Sequence, residues 1–144
     1  QTNVKIISWK GRCEVHERFT AEEILAYKEQ HKDIVVLAHP ECSPEVVAVS
    51  DFAGSTAGMS NYVKDNQPQK VIMVTECSMS DNVAIENPDV EFVRPCNLCP
   101  HMKRISLKKI YDAIRFNQFQ IKVDEDIINR ARLSIDRMLE IGRS

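Results

Sequence analysis

Apolar residues in the first two-thirds of the chain fall in short unbroken runs, separated by polar stretches with helical spacing. Ile34-Val35-Val36-Leu37-Ala38 and Val71-Ile72-Met73-Val74 are continuous apolar runs of strand length, the pattern of strands buried on both faces. Val90 to Val93, stopped by Pro95, predicts a shorter strand, and Val4 to Trp9, bounded by Gly11, predicts one ahead of them all. Helix signals lie between the runs. Thr20 with Glu23 three residues later is a capping box, opening a helix that ends near Lys32. Ser43-Pro44 caps a short helix ending near Asp51. Gly54-Ser55-Thr56 leads into a third helix carrying Met59, Tyr62 and Val63, and a weaker one covers about Ser80 to Glu86. Two more follow at about Leu107–Asn117 and Glu125–Ile141. The last is capped by Asp124, and its Ile127, Ile128, Ala131, Ile135, Met138 and Leu139 make one apolar face.

Alternating strands and helices predict an α/β fold, a parallel sheet covered by helices with right-handed crossovers. In such sheets the carboxyl ends of the strands share one edge, where ligands bind. That topology gathers the reactive residues. Cys13 and His16 follow the first expected strand, His39 and Glu41 the second, Glu76 and Cys77 the third, and Cys96 and Cys99 the fourth, with Thr56 opening a helix.

Composition narrows the class. The chain has 144 residues, 43% hydrophobic and 28% charged, with net charge −2. These are the proportions of a soluble globular domain. The charge gives no attraction to nucleic acid or to an anionic membrane. No apolar run reaches the ~20 residues that span a bilayer, and no N-terminal stretch reads as a signal peptide. Five cysteines, an odd number, point away from a secreted disulfide framework and toward a reducing, cytoplasmic setting in which some thiols serve a metal or catalysis. The chain opens on Gln1 without an initiator Met, which suggests a truncated or processed polypeptide.

The candidate chemistry follows from residue type. Cys13, His16, Cys96 and Cys99 could form a Cys₃His zinc site in a non-catalytic module. The alternative is an iron–sulfur cluster held by three cysteines, with one iron open to act as a Lewis acid; this chain would supply only some of the three. His39-Pro40-Glu41 joins an imidazole and a carboxylate at a strand end, suited to proton transfer near neutral pH. Pro40 stiffens that turn. Thr56 is by default a cap, with anion binding at the helix start the alternative. Lys103, Arg104, Lys108 and Lys109 read most simply as a solvated basic face.

Taken in order, Gly11-Arg12-Cys13-Glu14-Val15-His16, His39-Pro40-Glu41, Asp51 to Thr56 and Cys96-Asn97-Leu98-Cys99-Pro100-His101-Met102 resemble quinolinate synthase. Each segment alone is weak, but four in order are specific. The resemblance implies one part of a pseudo-threefold enzyme of three α/β/α sandwich domains. Residues 1–13 would end a preceding domain or form a first strand, 14–100 form an α/β/α domain, and 101–144 form C-terminal helices packing back on the enzyme. It implies condensation of iminoaspartate with dihydroxyacetone phosphate to quinolinate in NAD biosynthesis, with an L-aspartate-oxidising enzyme as functional partner. A [4Fe-4S] cluster would sit on Cys13, Cys99 and a third cysteine absent from this chain. Cys96 is similar to an extra cysteine that does not bind the cluster. By the same resemblance His39, Pro40, Glu41, Thr56 and Met102 contact substrate, and Glu41 and His16 move protons. The first domain and most of the second are missing relative to that family, so the fragment is expected to be inactive. Cys42 and Cys77 have no assigned role and read as small buried residues.

Overall fold

The computed structural model describes residues 5–142. The chain forms two compact units, meeting in sequence at Lys103 and Arg104.

The first unit is built on the apolar runs. β1 (Ile34–Ala38), β2 (Phe52–Ala53), β3 (Lys70–Val74) and β4 (Glu91–Val93) form one sheet in the order β2-β1-β3-β4. All pairings are parallel, and Val36 stands opposite Ile72 in the central pair. α1 (Ala21–Gln30), α2 (Pro44–Ala48), α3 (Thr56–Asn66) and α4 (Cys77–Glu86) cover the sheet. Because side chains alternate along a strand, the sheet divides its apolar residues between two cores. Val36, Ala38, Ile72 and Val74 pack with Ile24 of α1 and Val46 of α2. Leu37, Val71 and Met73 pack with Met59 and Val63 of α3 and Val83 of α4. The result is the expected three-layer α/β/α sandwich. It also explains why β1 and the Val71–Val74 stretch of β3 carry no polar position: both faces are buried.

The caps behave as read. Thr20 Oγ1 accepts the Glu23 N–H at 3.2 Å, and Glu23 returns a carboxylate to the Thr20 N–H at 3.1 Å. Replacing Thr20 by Ala should lower unfolding stability by about 1 kcal/mol, read as a lower urea midpoint with an unchanged slope. Ser43 caps α2 and Ser55 caps α3. Thr56, expected to cap α3, is instead its first helical residue, because the preceding serine already accepts the Gly58 N–H.

Three differences stand out. Lys5–Trp9 forms no strand; Val4 lies outside the described residues. A strand needs a neighbouring edge for its backbone groups, and no described segment pairs with 5–9, so Ile6, Ile7 and Trp9 remain exposed. β2 is an additional two-residue strand. Just before it, Asp51 completes the β1 edge. Its N–H donates to the Val36 carbonyl at 2.9 Å, its carboxylate accepts the Val36 N–H at 2.8 Å, and Lys28 pairs with the same carboxylate at 2.9 Å. Finally, α4 begins at Cys77, ahead of the expected Ser80, because Glu76 serves as its N-cap and accepts the Ser78 N–H.

The second unit contains α5 (Leu107–Phe116) and α6 (Glu125–Gly142). Ser106 caps α5, which ends at Asn117 in the left-handed region. Asp124 accepts the Asp126 N–H at the start of α6. Ion pairs within the helix, such as Arg130–Asp126 and Arg132–Asp136, line its polar side. Among the described residues no helix is long and apolar enough to cross a membrane.

Candidate functional site

The strand order reverses between β1 and β3: β2 lies to one side of β1, and the chain then returns to place β3 on the other. A parallel sheet opens a crevice at such a switch point. His39 and Glu41 leave β1 there, and Thr75 and Glu76 leave β3. The turn after β1 is tied down by backbone bonds from His39 N–H to the Val74 carbonyl and from Cys42 N–H to the His39 carbonyl.

The loop before α1 folds over this edge. A 3₁₀ turn at His16–Arg18 follows Cys13, and Val15 and Phe19 on either side are buried in the α1/α2 core. These apolar anchors push His16 inward. Its Nδ1 lies 3.0 Å from Glu41 Oε2, and its Nε2 lies 3.0 Å from Thr75 Oγ1. The His16 and His39 rings stack with centroids 4.4 Å apart and planes 5° from parallel. The His16 side chain is 8% exposed, whereas that of Glu41 is 59% exposed. Burial and the neighbouring His39 hold the His16 pKa below its ordinary value, against the opposing pull of Glu41. His39 Nδ1 accepts the Glu41 backbone N–H at 3.2 Å. A neutral His39 therefore carries its proton on Nε2, where it is a donor for an anion.

Cys13 joins this group. One ligating atom each from Cys13, His16 and Glu41 lies within 4.8 Å of the others. Arg12, Cys13, Glu17, Glu41, Cys42 and Ser43 help line a cleft of about 740 Å³ beside them. Arg12 pairs with Glu17 at 2.8 Å on its wall.

Cys99 sits on a second loop at the same edge. Its N–H donates to Glu76 Oε1, its Sγ accepts the Met102 N–H at 3.5 Å, and it packs partly against the core cluster that Cys13 also touches. Next to the two cysteines, Glu14 Oε1 and His101 Nε2 meet at 2.9 Å, a contact that links the loops directly. A parallel bridge from Glu76 to Asn97 and a bond from Cys77 N–H to the Asn97 carbonyl fix the Cys99 loop to the end of β3.

Of the residues singled out in the sequence, Cys13, His16, His39 and Glu41 meet. Cys99 and Met102 meet each other on the linked loop. Thr56 and Pro40 are exposed; the segment before Thr56 is tethered to β1 by the Gly54 N–H on the Ala38 carbonyl. Two expectations need correction. Cys77 is not a free buried thiol, since it forms a disulfide with Cys96, the Cα atoms 4.9 Å apart. The zinc set of Cys13, His16, Cys96 and Cys99 thereby loses a ligand, because a sulfur bonded to sulfur offers no thiolate. Thr75 and Glu76 complete the site although neither was singled out as a partner of His16 or Cys99. Their only signal was position, directly after a buried strand.

The donor set bears on an iron–sulfur cluster. The free thiols among the described residues are Cys13, Cys42 and Cys99. Cys42 is buried, its Sγ points to the Val74 carbonyl at 3.5 Å, and burial pushes its pKa up to about 11. It stays a neutral thiol and is a poor ligand. Two thiols, Cys13 and Cys99, remain on linked loops. These two thiolate donors fit two corners of a three-cysteine cluster.

Comparison with known proteins identifies the family. The family described as quinolinate synthetase A protein matches residues 1–140. Quinolinate synthase 1 of Mesorhizobium japonicum is 61% identical over 96% of this chain. The quinolinate synthases of Sinorhizobium medicae and Xylella fastidiosa (strain Temecula1) are each 57% identical over 98% of it. The chain spans only 43%, 39% and 42% of those three relatives. With nearly its whole length matched to one family, the chain belongs to the quinolinate synthetase A proteins.

Proposed function

We propose that this chain is the C-terminal part of a quinolinate synthase, which condenses iminoaspartate with dihydroxyacetone phosphate and eliminates water to give quinolinate for NAD biosynthesis. The observation that carries the reading is the meeting of Cys13, His16 and Glu41 at the switch point of the sheet, in a chain of this family. In this proposal Cys13 and Cys99 are two of three cysteine ligands of a [4Fe-4S] cluster. Such a cluster, when bound, supplies an open iron as a Lewis acid toward a substrate oxygen.

The chain's own residues do the rest. Glu41, the more exposed member of its pair, meets the substrate, and His16 stands behind it with Nδ1 on its carboxylate. Together they are the proton-handling pair. His39 offers Nε2–H to a substrate carboxylate, with Pro40 stiffening its turn. Thr56 and Met102 complete the substrate contacts from the neighbouring loops. The C-terminal helices pack on the remainder of the enzyme through the apolar face of α6. An L-aspartate-oxidising enzyme supplies the imine in the cytoplasm.

The test uses the intact enzyme that carries this segment, prepared anaerobically. It should be brown, contain iron and acid-labile sulfide in equal amounts, and form quinolinate from the two substrates. A colourless protein without iron would overturn the proposal. The 144-residue chain alone should form no quinolinate, because a cluster ligand and part of the pocket come from elsewhere. Turnover by the isolated chain would contradict that division.

A further inference from the structure

We propose that Cys77 is a guard thiol: by pairing with Cys96 under oxidation, it keeps Cys96 from closing a disulfide on Cys99. The consequence for the enzyme rests on the ligand role of Cys99 proposed above. Cys96-Asn97-Leu98-Cys99 is a Cys-X-X-Cys segment. Dithiol oxidoreductases use that spacing to close a disulfide between its two cysteines. Closed in that way, the loop would lose its ligand, because a sulfur bonded to sulfur offers no thiolate. Here the bond goes elsewhere. Cys96 is joined to Cys77, at a sequence separation of 19, and Cys99 remains a free thiol.

The backbone decides which partner Cys96 finds. Cys77 is the first residue of α4. Its N–H donates to the Asn97 carbonyl at 3.1 Å, and Glu76 bridges to Asn97 in parallel register. The residue after Cys96 is thus bonded to Cys77 and to the residue before it. The Cys77 and Cys96 Cα atoms stand 4.9 Å apart, within the roughly 4.4–6.8 Å that a disulfide spans. Cys99 is engaged separately. Its N–H donates to Glu76 Oε1 at 3.4 Å, its Sγ accepts the Met102 N–H at 3.5 Å, and its carbonyl accepts the Lys103 N–H at 3.1 Å. Two groups held side by side react at a high effective concentration, so the aligned pair closes first. Closure joins the two sulfurs and passes two electrons and two protons to an oxidant such as a diazene, which becomes a hydrazine. A dithiol reverses it. Cys96 is exposed and Cys77 is half-buried, so the incoming thiolate attacks the Cys96 sulfur, and Cys77 leaves as a thiolate and takes up a proton. The second thiol of the reductant then displaces Cys96 and closes its own disulfide. Cys77 and Cys96 thereby form a reversible couple that absorbs oxidation beside Cys99.

The test maps thiols in the intact enzyme that carries this segment. The protein is stripped of iron with a chelator, oxidised with the diazene diamide, alkylated with iodoacetamide and digested without reduction. In the wild type, mass spectrometry should find Cys77 joined to Cys96 and Cys99 alkylated. Dithiothreitol added before alkylation should leave all three alkylated. In Cys77→Ser, Cys96 and Cys99 should be joined, and alkylation of Cys99 should be lost. Cys77→Ser combined with Cys96→Ser should restore it, which separates diversion of the thiol from a disturbed start of α4. In the iron-loaded enzyme, diamide should release iron faster from Cys77→Ser than from the wild type or the double variant. A Cys96–Cys99 bond in the wild type, an alkylated Cys99 in Cys77→Ser, its failure to return in the double variant, or equal iron release from all three enzymes would each overturn the proposal. Should the intact enzyme contain no iron, the functional reading falls, and the alkylation map still decides where Cys96 pairs.

Discussion

Glu41→Gln in the intact enzyme should reduce turnover by about a hundred- to ten-thousandfold, the usual contribution of a positioned acid or base. Iron and sulfide content should not change. Glutamine keeps the size of the side chain and a carbonyl oxygen that can accept from His16 Nδ1, so the arrangement with His16 and His39 survives. What it lacks is a proton that can be taken up and released. Glu41 makes no bond to Cys99 or its loop among those described, so a substitution there should act on chemistry and not on cluster retention. Steady-state quinolinate formation alongside iron analysis measures both. Unchanged turnover would remove Glu41 as a proton carrier.

The second large effect is on stability. Leu37→Ala should destabilise the 144-residue chain by about 2–5 kcal/mol, the range for emptying a fully buried leucine position. Leu37 is 0% exposed and packs among Met59, Val63, Val71 and Met73 beneath α3 and α4. Such a loss is a large part of the ~5–15 kcal/mol that holds a typical domain together. It would also loosen the strand that delivers His39 and Glu41. Ile85 on α4 is 80% exposed. Ile85→Ala should therefore change stability by no more than about 0.5 kcal/mol. Urea unfolding followed by circular dichroism compares the two. Similar losses for both would mean that the two-core packing does not govern stability.

What could be read in the sequence was set by local physics. The unbroken runs at Ile34–Ala38 and Val71–Val74 identify strands buried on both sides, because no polar position interrupts them. The Thr20/Glu23 box is a local hydrogen-bond device, so its residues announce it. Parallel topology then predicted that His39 and Glu41 share an edge with Glu76; Cys13 was expected there by way of a strand ahead of it, which over 5–9 does not form, and it reaches the edge on the loop before α1. Features that depend on distant partners were not readable in this way. Val4 to Trp9 has a strand-like composition, yet over 5–9 composition supplies no edge to pair with. Phe52–Ala53 is too short to carry a period. Thr75 and His16 are 59 residues apart, and nothing near either names the other. Cys77 and Cys96 are 19 apart, and their pairing depends on how α4 meets the loop beyond β4.

Asp51 has a consequence for how this protein behaves among its own copies. An outer strand with unused amide and carbonyl groups is a template on which another molecule can extend the sheet. Asp51 occupies both groups of Val36 and carries a charge, neutralised in part by Lys28, to the rim where such growth would begin. One residue, through its carboxylate and its own N–H, thus seals a stretch that two-residue β2 is too brief to cover. It guards a strongly apolar strand against fibrous self-association, leaving the molecule's reactive end to the loops.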